Sequence, residues 1–252
     1  MQRNILLSTY DSSPYFNMAC DEYFLGLADK GIIDCAVRFF TWSPVSISLG
    51  YYQKSKDFDM EKINSDNILL VRRITGGNAI FHKNDFTYSA ILKMGIKGLD
   101  NKRDFYDFLA NVLKKSLLSL NIDCKINDKI SIAEKNPDCF YSPSQYEIVD
   151  KNGKKLVGSA QKISKNAMLQ HGSFFYDYNP EIIKKYLKNE NFKDKKSNDN
   201  PKLDLKEIKK AFFSAFKKEF ELSDYKLTKE DESEIIKIAN VKYSKDAWIF
   251  RK

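Results

Sequence analysis

The segment between residues 138 and 173 contains three side chains that can take part in chemistry, Cys139, Lys155 and His171. A cysteine can supply a nucleophilic thiolate, a lysine a positive charge, and a histidine a group that exchanges protons near neutral pH. The sequence around them favours strands, and Asn152-Gly153 is typical of a tight hairpin turn. Taken alone, Cys139 is also compatible with an ordinary buried cysteine. We expect the rest of the chain to build a pocket around this segment.

The composition is that of a globular protein outside the membrane. The chain has 252 residues, 30% of them charged and 42% hydrophobic, and it lacks an apolar run near the roughly 20 residues of a membrane span. Its first residues lack the apolar core and cleavage site of a secretory signal, so we expect a cytoplasmic protein. We expect one domain over residues 1–252. Within it, the polar stretch 189–202 predicts a mobile loop, and residues 203–252 a helical C-terminal portion.

The cysteines and histidines argue against a metal centre. The chain has four cysteines, none in Cys-x-x-Cys spacing, and two histidines, at Cys20, Cys35, Cys124, Cys139, His82 and His171. This pattern favours neither a disulfide framework nor a zinc site. We therefore expect no metal, and three of the cysteines are interpreted as small core residues.

The positive charge lies in the second part of the chain. Residues 1–150 carry 18 basic and 19 acidic side chains, whereas residues 151–252 carry 24 and 15, so the net charge of +8 resides there. This asymmetry predicts an acidic partner, or else reflects a lysine-rich composition. Neither nucleic acid nor a membrane is the expected partner.

The pattern of apolar residues predicts a mixed α/β fold. Helical periodicity and capping signals predict five helices, at residues 14–30, 59–64, 104–120, 204–220 and 228–240. β-rich runs predict strands at 36–42, 45–50, 68–72 and 85–92, with further strands between 124 and 176. The first two of these runs are expected to pair as a hairpin. A substantially antiparallel sheet is expected, and the aromatic residues of the tail at 243–250 should pack onto the body.

Residues 72–82 combine paired arginines with paired glycines. Gly76 and Gly77 would let backbone amides approach a ligand closely, and Arg72 and Arg73 would supply positive charge beside it. The same four residues are also compatible with a simple turn between two strands.

Four segments together resemble the superfamily of lipoate-protein ligases, biotin ligases and octanoyltransferases. They are NMACDE at 17–22, RRITGGNAIFH at 72–82, GKKLVGSAQ at 153–161 and LQHGS at 169–173. The resemblance implies an α/β fold like the biotin/lipoate ligase catalytic domain, with a mixed sheet around a medium-chain acyl group. It implies these substrate-binding residues: Arg72, Arg73, Gly76, Gly77, Asn78, His82, Gly158, Ser159, Ala160 and His171. Asn78 stands where the family usually has a third glycine.

A second set of motifs resembles one branch of this superfamily, the cysteine-dependent octanoyltransferases of the Bacillus type. It consists of CF at 139–140, SPS at 142–144, YE at 146–147 and GKK at 153–155. The resemblance implies that Cys139 carries the acyl group and that Lys155 is its electrostatic partner. It further implies transfer of octanoyl from acyl carrier protein to a lysine of a lipoyl domain or glycine-cleavage H protein, in lipoate biosynthesis, without a cofactor.

Three alternative functions are also compatible with the sequence. An ATP-dependent lipoate-protein ligase would use ATP and magnesium, with Arg73, Gly76, Gly77 and Lys155 around an acyl-adenylate. Such ligases usually carry an accessory domain, and few residues follow the last predicted helix, which favours the transferase. An amidotransferase would instead move octanoyl between lipoyl-carrying proteins. A non-catalytic basic module would form no acyl adduct at all.

Overall fold

The computed structural model describes residues 3–127, 147–176, 180–188 and 203–251. Cys139 and the whole predicted loop 189–202 lie outside these residues. The strands in chain order are β1 Asn4–Ser12, β2 Cys35–Trp42, β3 Ser46–Leu49, β4 Leu69–Arg72, β5 Ile80–His82, β6 Asp85–Lys93, β7 Cys124–Ile126, β8 Ile148–Asp150, β9 Lys155–Ile163, β10 Ala167–Phe175 and β11 Ser223–Asp224. The helices are α1 Pro14–Asp29, α2 Met60–Ser65, α3 Lys102–Leu118, α4 Leu205–Phe220, α5 Lys229–Ile238 and α6 Asp246–Ile249.

Eight strands form the main sheet, in the order β11-β1-β2-β6-β10-β9-β8-β7. β1 runs parallel to both β11 and β2, and the remaining neighbours are antiparallel. A small second sheet has the order β4-β3-β5. These pairings confirm the predicted mixed α/β fold with a substantially antiparallel sheet.

The local capping chemistry places the helix ends. Ser13 precedes α1, its hydroxyl accepts a hydrogen bond from the Phe16 amide at 3.2 Å, and Pro14 occupies the first turn. Thr228 and Asp231 form a reciprocal capping box at the start of α5. Both caps can be recognised from the sequence, and the helices predicted at 14–30 and 228–240 are confirmed as α1 and α5.

The main sheet is covered on both faces because neighbouring side chains of a strand point in opposite directions. Phe39 of β2 packs against α4, whereas Phe40 belongs to the core formed with α1 and α5. The small sheet has its own core, which includes Ile47, Phe81 and Ile249. Within the described part of the chain, no helix is both long and apolar enough to cross a membrane.

The predicted hairpin of residues 36–42 and 45–50 is wrong. β2 already has β1 on one edge and β6 on the other, so it has no free edge for β3. After Ser43-Pro44 the chain therefore enters the second sheet, where β3 lies between β4 and β5. Because β4 and β5 are on opposite sides of β3, Gly76 and Gly77 lie in a loop between non-neighbouring strands and not in a hairpin turn.

The hairpin predicted at Asn152-Gly153 is confirmed. β8 and β9 pair in antiparallel fashion, and Gly153 takes a φ of +83° in the turn between them. This turn brings Lys155, at the start of β9, next to β8 and the residue that precedes it, Glu147.

Candidate active site

A cavity of about 240 Å³ opens where the two sheets meet. Its walls come from α1, β2, the loop between β4 and β5, β9 and β10. It is lined by Met18, Phe40, Trp42, Ser48, Arg73, Gly77, Asn78, Ile80, His82, Thr87, Glu147, Lys155, Gly158, Ser159, Ala160, His171, Gly172, Ser173 and Phe175. The predicted residues Arg73, Gly77, Asn78, His82, Lys155, Gly158, Ser159, Ala160 and His171 are thus brought together, although they are up to 98 positions apart.

The cavity is lined by both apolar and charged side chains. Met18, Phe40, Trp42, Ile80 and Phe175 supply the apolar surface, and Lys155 and Glu147 supply charge. An engineered apolar cavity of about 150 Å³ accommodates benzene. The present cavity is therefore large enough for a somewhat larger apolar group, with charged side chains available to its reactive end.

One wall consists of the facing strands β9 and β10. Gly172 lies where a β-carbon would come within 2.4 Å of the Gly158 carbonyl oxygen and 2.7 Å of the Ser159 hydroxyl. The Ser159 hydroxyl is itself 2.8 Å from the Tyr88 hydroxyl, which accepts a hydrogen bond from Gln170. Glycine at 172 therefore lets these two strands form a continuous, hydrogen-bonded wall.

The opposite wall is the loop 73–79, and Arg73 holds it in place. The Arg73 guanidinium donates to the carbonyl oxygens of Ser48, Gly76 and Asn78 at 2.7–2.8 Å. Burial, together with the charge of the neighbouring Arg72, lowers the pKa of Arg73 to about 9. Arg73 therefore shapes the loop from the inside, while Gly77 and Asn78 present the loop to the cavity.

Arg72 does not line the cavity, contrary to the role expected from its motif. Its side chain is buried and donates to the carbonyl oxygens of Ile249, Gly50 and Gln53. The Trp248 indole in turn donates to the Arg72 carbonyl at 2.8 Å. Arg72 thus fastens the C-terminal tail to the body. The predicted packing of the tail aromatics is confirmed for Tyr243 and Trp248, whereas Phe250 is exposed. Gly76 also lies outside the lining.

His82 lies in the cavity wall with both ring nitrogens engaged. Its Nε2 is 2.8 Å from the Ser48 hydroxyl and its Nδ1 is 2.8 Å from Asp85 Oδ2. The Trp42 ring stacks on it with a centroid separation of 3.7 Å. These contacts hold the His82 ring in place in the cavity wall.

His171 is held by two residues that sequence reasoning did not assign to the site, Asp21 and Thr75. His171 Nδ1 lies 2.7 Å from Asp21 Oδ2, and Nε2 lies 2.6 Å from the Thr75 hydroxyl. Asp21 also receives a 2.7 Å hydrogen bond from the buried Arg38. Asp21 and Thr75 lie inside the motifs at 17–22 and 72–82 that carried the resemblance. Membership of these motifs was the sequence signal that could have identified them as site residues.

The protonation of this array follows from its surroundings. Burial alone would raise the pKa of Asp21, but Arg38 and His171 outweigh it, and the Asp21 pKa is lowered. Burial lowers the pKa of His171, and Asp21 opposes this only in part. His171 is therefore neutral at pH 7, with its proton on Nδ1 facing Asp21 and its Nε2 accepting from Thr75. Because both ring nitrogens of His171 are engaged, the geometry favours a structural role for His171 in the cavity wall over the relay of a proton.

Lys155 reaches the cavity from the start of β9. Its ammonium lies 2.6 Å from Glu147 Oε1, and Glu147 is buried. Gly158 leaves room for this side chain, because a β-carbon at 158 would lie 2.9 Å from Lys155 Cε. Glu147 belongs to the Tyr-Glu motif but was not predicted to be a site residue.

The three cysteines within the described residues, Cys20, Cys35 and Cys124, are buried and unbonded. Burial raises the pKa of Cys20 to about 12 and raises the pKa values of Cys35 and Cys124 as well. These thiols stay protonated and unreactive at neutral pH, so their predicted role as core residues is confirmed. Among the residues that the structure describes, no group of three metal-binding side chains occurs.

We predict that Gly50→Ala disrupts the loop wall. A β-carbon at Gly50 would lie 1.7 Å from the Gly77 carbonyl oxygen, so the loop must move. The free energy of unfolding should fall by about 1–3 kcal/mol, measured by urea denaturation. Gly76→Ala is the matched control, because its β-carbon would meet nothing within 4 Å. Equal effects of the two substitutions would contradict the close approach of Gly50 and Gly77.

The chain is similar to known proteins over the residues that form the cavity. The family model of the lipoyl protein ligase A/B catalytic domain matches residues 13–217, which include every described residue of the cavity. The chain belongs to this family. It is 34% identical to octanoyltransferase LipM of Halalkalibacterium halodurans over 96% of both chains, and 32% identical to octanoyltransferase LipM of Staphylococcus aureus over 98% of both.

A solved structure supports the fold. The putative lipoate protein ligase Ta0514 of Thermoplasma acidophilum, with bound lipoic acid, superposes with a TM-score of 0.80 at 21% identity. The match covers 99% of this chain and all of the other. The expected lipoate ligase catalytic-domain fold is therefore confirmed.

Proposed function

We propose that this chain carries octanoyl from acyl carrier protein, as a thioester on Cys139, to a lysine of a lipoyl domain or glycine-cleavage H protein. The chain is an octanoyltransferase of lipoate biosynthesis, and the observation that carries this is its full-length similarity to proteins of that name. The cavity supports it, because an apolar surface beside Lys155 suits an acyl chain with a reactive carbonyl at its end.

The proposed reaction has two steps that balance without ATP. In the first, the Cys139 thiolate attacks the thioester carbonyl, a carbon–sulfur bond to Cys139 forms, the carbon–sulfur bond to the carrier protein breaks, and the departing thiolate takes a proton from solvent. In the second, a neutral lysine amine attacks the Cys139 thioester, an amide forms, the carbon–sulfur bond to Cys139 breaks to return the thiolate, and the amine proton passes to solvent. Dividing the transfer into two such displacements is the usual gain of covalent catalysis.

Lys155 has two proposed tasks in these steps. Its ammonium stabilises the thiolate of Cys139, since a nearby positive charge favours the anion. It also attracts the oxyanion that forms on the carbonyl, aided by backbone amides near Gly77 or Gly158. Glu147 holds the ammonium in place through its 2.6 Å ion pair.

The test is to mix the purified protein with octanoyl-acyl carrier protein in the absence of ATP and magnesium. After acid quenching, mass spectrometry should find one octanoyl group, mapped to the peptide that contains Cys139 and released by neutral hydroxylamine as a thioester would be. Absence of the adduct together with ATP-dependent lipoylation would favour a ligase. An adduct formed only from an octanoylated lipoyl protein would favour an amidotransferase.

Lys155→Met should raise the pKa of Cys139 because it removes the proposed stabilising charge. The pH profile of thiol alkylation at Cys139 should therefore move to higher pH, and transfer at pH 7 should fall about 10- to 100-fold. Lys154→Met is the matched control, because it removes the same charge from the adjacent position. Indistinguishable alkylation profiles of the Lys155 variant and the wild type would refute the electrostatic role.

A further inference from the structure

A group of cations and aromatic rings lies on the surface beside the loop wall. We call it the cation–tyrosine patch, and it consists of Tyr51, Tyr52, Lys162, Trp248 and Arg251. The Arg251 guanidinium lies 4.0 Å from the centre of the Tyr51 ring and 4.8 Å from that of Trp248. The Lys162 ammonium lies 5.8 Å from the centre of the same Tyr51 ring. Tyr52 is 82% exposed.

The patch is connected to both walls of the cavity. On the loop side, the Tyr51 amide donates to the Thr75 carbonyl at 2.8 Å, and the preceding Gly50 approaches the Gly77 carbonyl. On the strand side, Gly158, Ala160 and Lys162 are alternate residues of β9. Alternate residues of a strand lie on the same face, so Lys162 shares a face with two residues of the cavity lining. The patch therefore continues the lined surface outward from the cavity.

The two cations of the patch have no acidic partner among the described residues. Neither Lys162 nor Arg251 takes part in an ion pair there, whereas nearby Lys242 is neutralised by both oxygens of Glu22 at 2.7 Å. An arginine or lysine side chain that lies over an aromatic ring packs its aliphatic carbons against protein surface and keeps its N–H donors in contact with solvent. The patch thus offers positive charge and an exposed tyrosine to an anionic ligand.

We propose that the cation–tyrosine patch is the docking surface for the acyl donor, an acidic carrier protein whose phosphopantetheine arm reaches the cavity. This inference rests on the proposed function. Lys162 and Arg251 would bind the phosphodiester of the arm and the acidic surface around it, since guanidinium and ammonium groups are the usual partners of phosphate.

The chemistry of the two substrates favours the donor over the acceptor. The donor brings a phosphodiester close to its reactive thioester, whereas the acceptor brings the ammonium of a lysine. Two unpaired cations beside the cavity attract the first and repel the second. The excess positive charge of residues 151–252 is thereby given a local role, at two residues that the fold brings beside the cavity.

The test combines charge reversal with two donors. For the double variant Lys162→Glu/Arg251→Glu, kcat/KM with octanoyl-acyl carrier protein should fall about 10- to 100-fold, and its salt dependence should weaken. With octanoyl-N-acetylcysteamine, a small neutral thioester, acylation of Cys139 should stay within about twofold of the wild type, because steering by charge acts only on a charged donor. Lys206→Glu/Lys210→Glu is the matched control, since it makes the same charge change on exposed positions of α4.

Each other outcome overturns the inference. An equal loss with the neutral donor would mean that the patch shapes the cavity. A loss in the control variant of the same size would mean that net charge alone steers the donor. A loss confined to transfer from preformed octanoyl-Cys139 to the lipoyl domain would make the patch an acceptor surface. If the wild type forms no adduct with either donor, the proposed function fails, and that result is distinct from the other three.

Discussion

Cys139→Ala is expected to reduce octanoyl transfer by at least about 10³-fold, because removal of a covalent nucleophile leaves only binding and electrostatic stabilisation. The other three cysteines cannot replace it, since they are buried and their pKa values are raised. The measurement is the rate of octanoyl transfer from acyl carrier protein to a lipoyl domain, with the octanoyl adduct followed in parallel.

The control for this prediction is Cys124→Ala. Cys124 lies in β7 near the same region of the chain and is buried, so the substitution should cost some stability and leave transfer nearly unchanged. The prediction fails if Cys139→Ala retains more than about a tenth of the wild-type rate while it folds normally, because catalysis of that size is inconsistent with loss of the nucleophile.

Asp21→Asn is expected to lower the free energy of unfolding by about 3–5 kcal/mol. Asp21 and Arg38 form an ion pair at 2.7 Å in which both side chains are almost fully buried. The substitution leaves the charge of Arg38 in the core without its carboxylate, and it also removes the charged partner of His171 Nδ1. The measurement is the urea concentration at the midpoint of unfolding, compared with that of the wild type after a check that the two proteins have the same m value.

The neighbouring Glu22→Gln is the matched control. It removes the same charge from the adjacent residue, but the ion pair of Glu22 with Lys242 is partly exposed, so a loss of about 1 kcal/mol or less is expected. Equal losses in the two variants would contradict the importance of burial at Asp21.

The pH dependence gives a second check. Because the Asp21 pKa is lowered in the folded state, its contribution is present above the unfolded pKa of about 4 and is lost as the pH falls through the folded value. The difference in the free energy of unfolding between the wild type and Asp21→Asn should therefore be largest at neutral pH and become smaller in acid. A gap that grows below pH 4 would have the wrong sign.

The sequence by itself determined the local elements and the composition of the site. Apolar periodicity, the Ser13-Pro14 cap and the Asn152-Gly153 turn depend on neighbouring residues, so they identify helices and hairpins without knowledge of the fold. Nine of the nineteen residues that line the cavity were likewise predicted from the motifs.

Only the tertiary structure decided how distant segments meet. Whether β2 pairs with β3 depends on whether β1 and β6 already occupy its edges, and no local pattern records that. Arg72 and Arg73 are adjacent and chemically alike, yet successive residues point in different directions, so one fastens the tail and the other shapes the cavity. Asp21 and His171 are 150 positions apart, and their contact arises because the core packs α1 against β10.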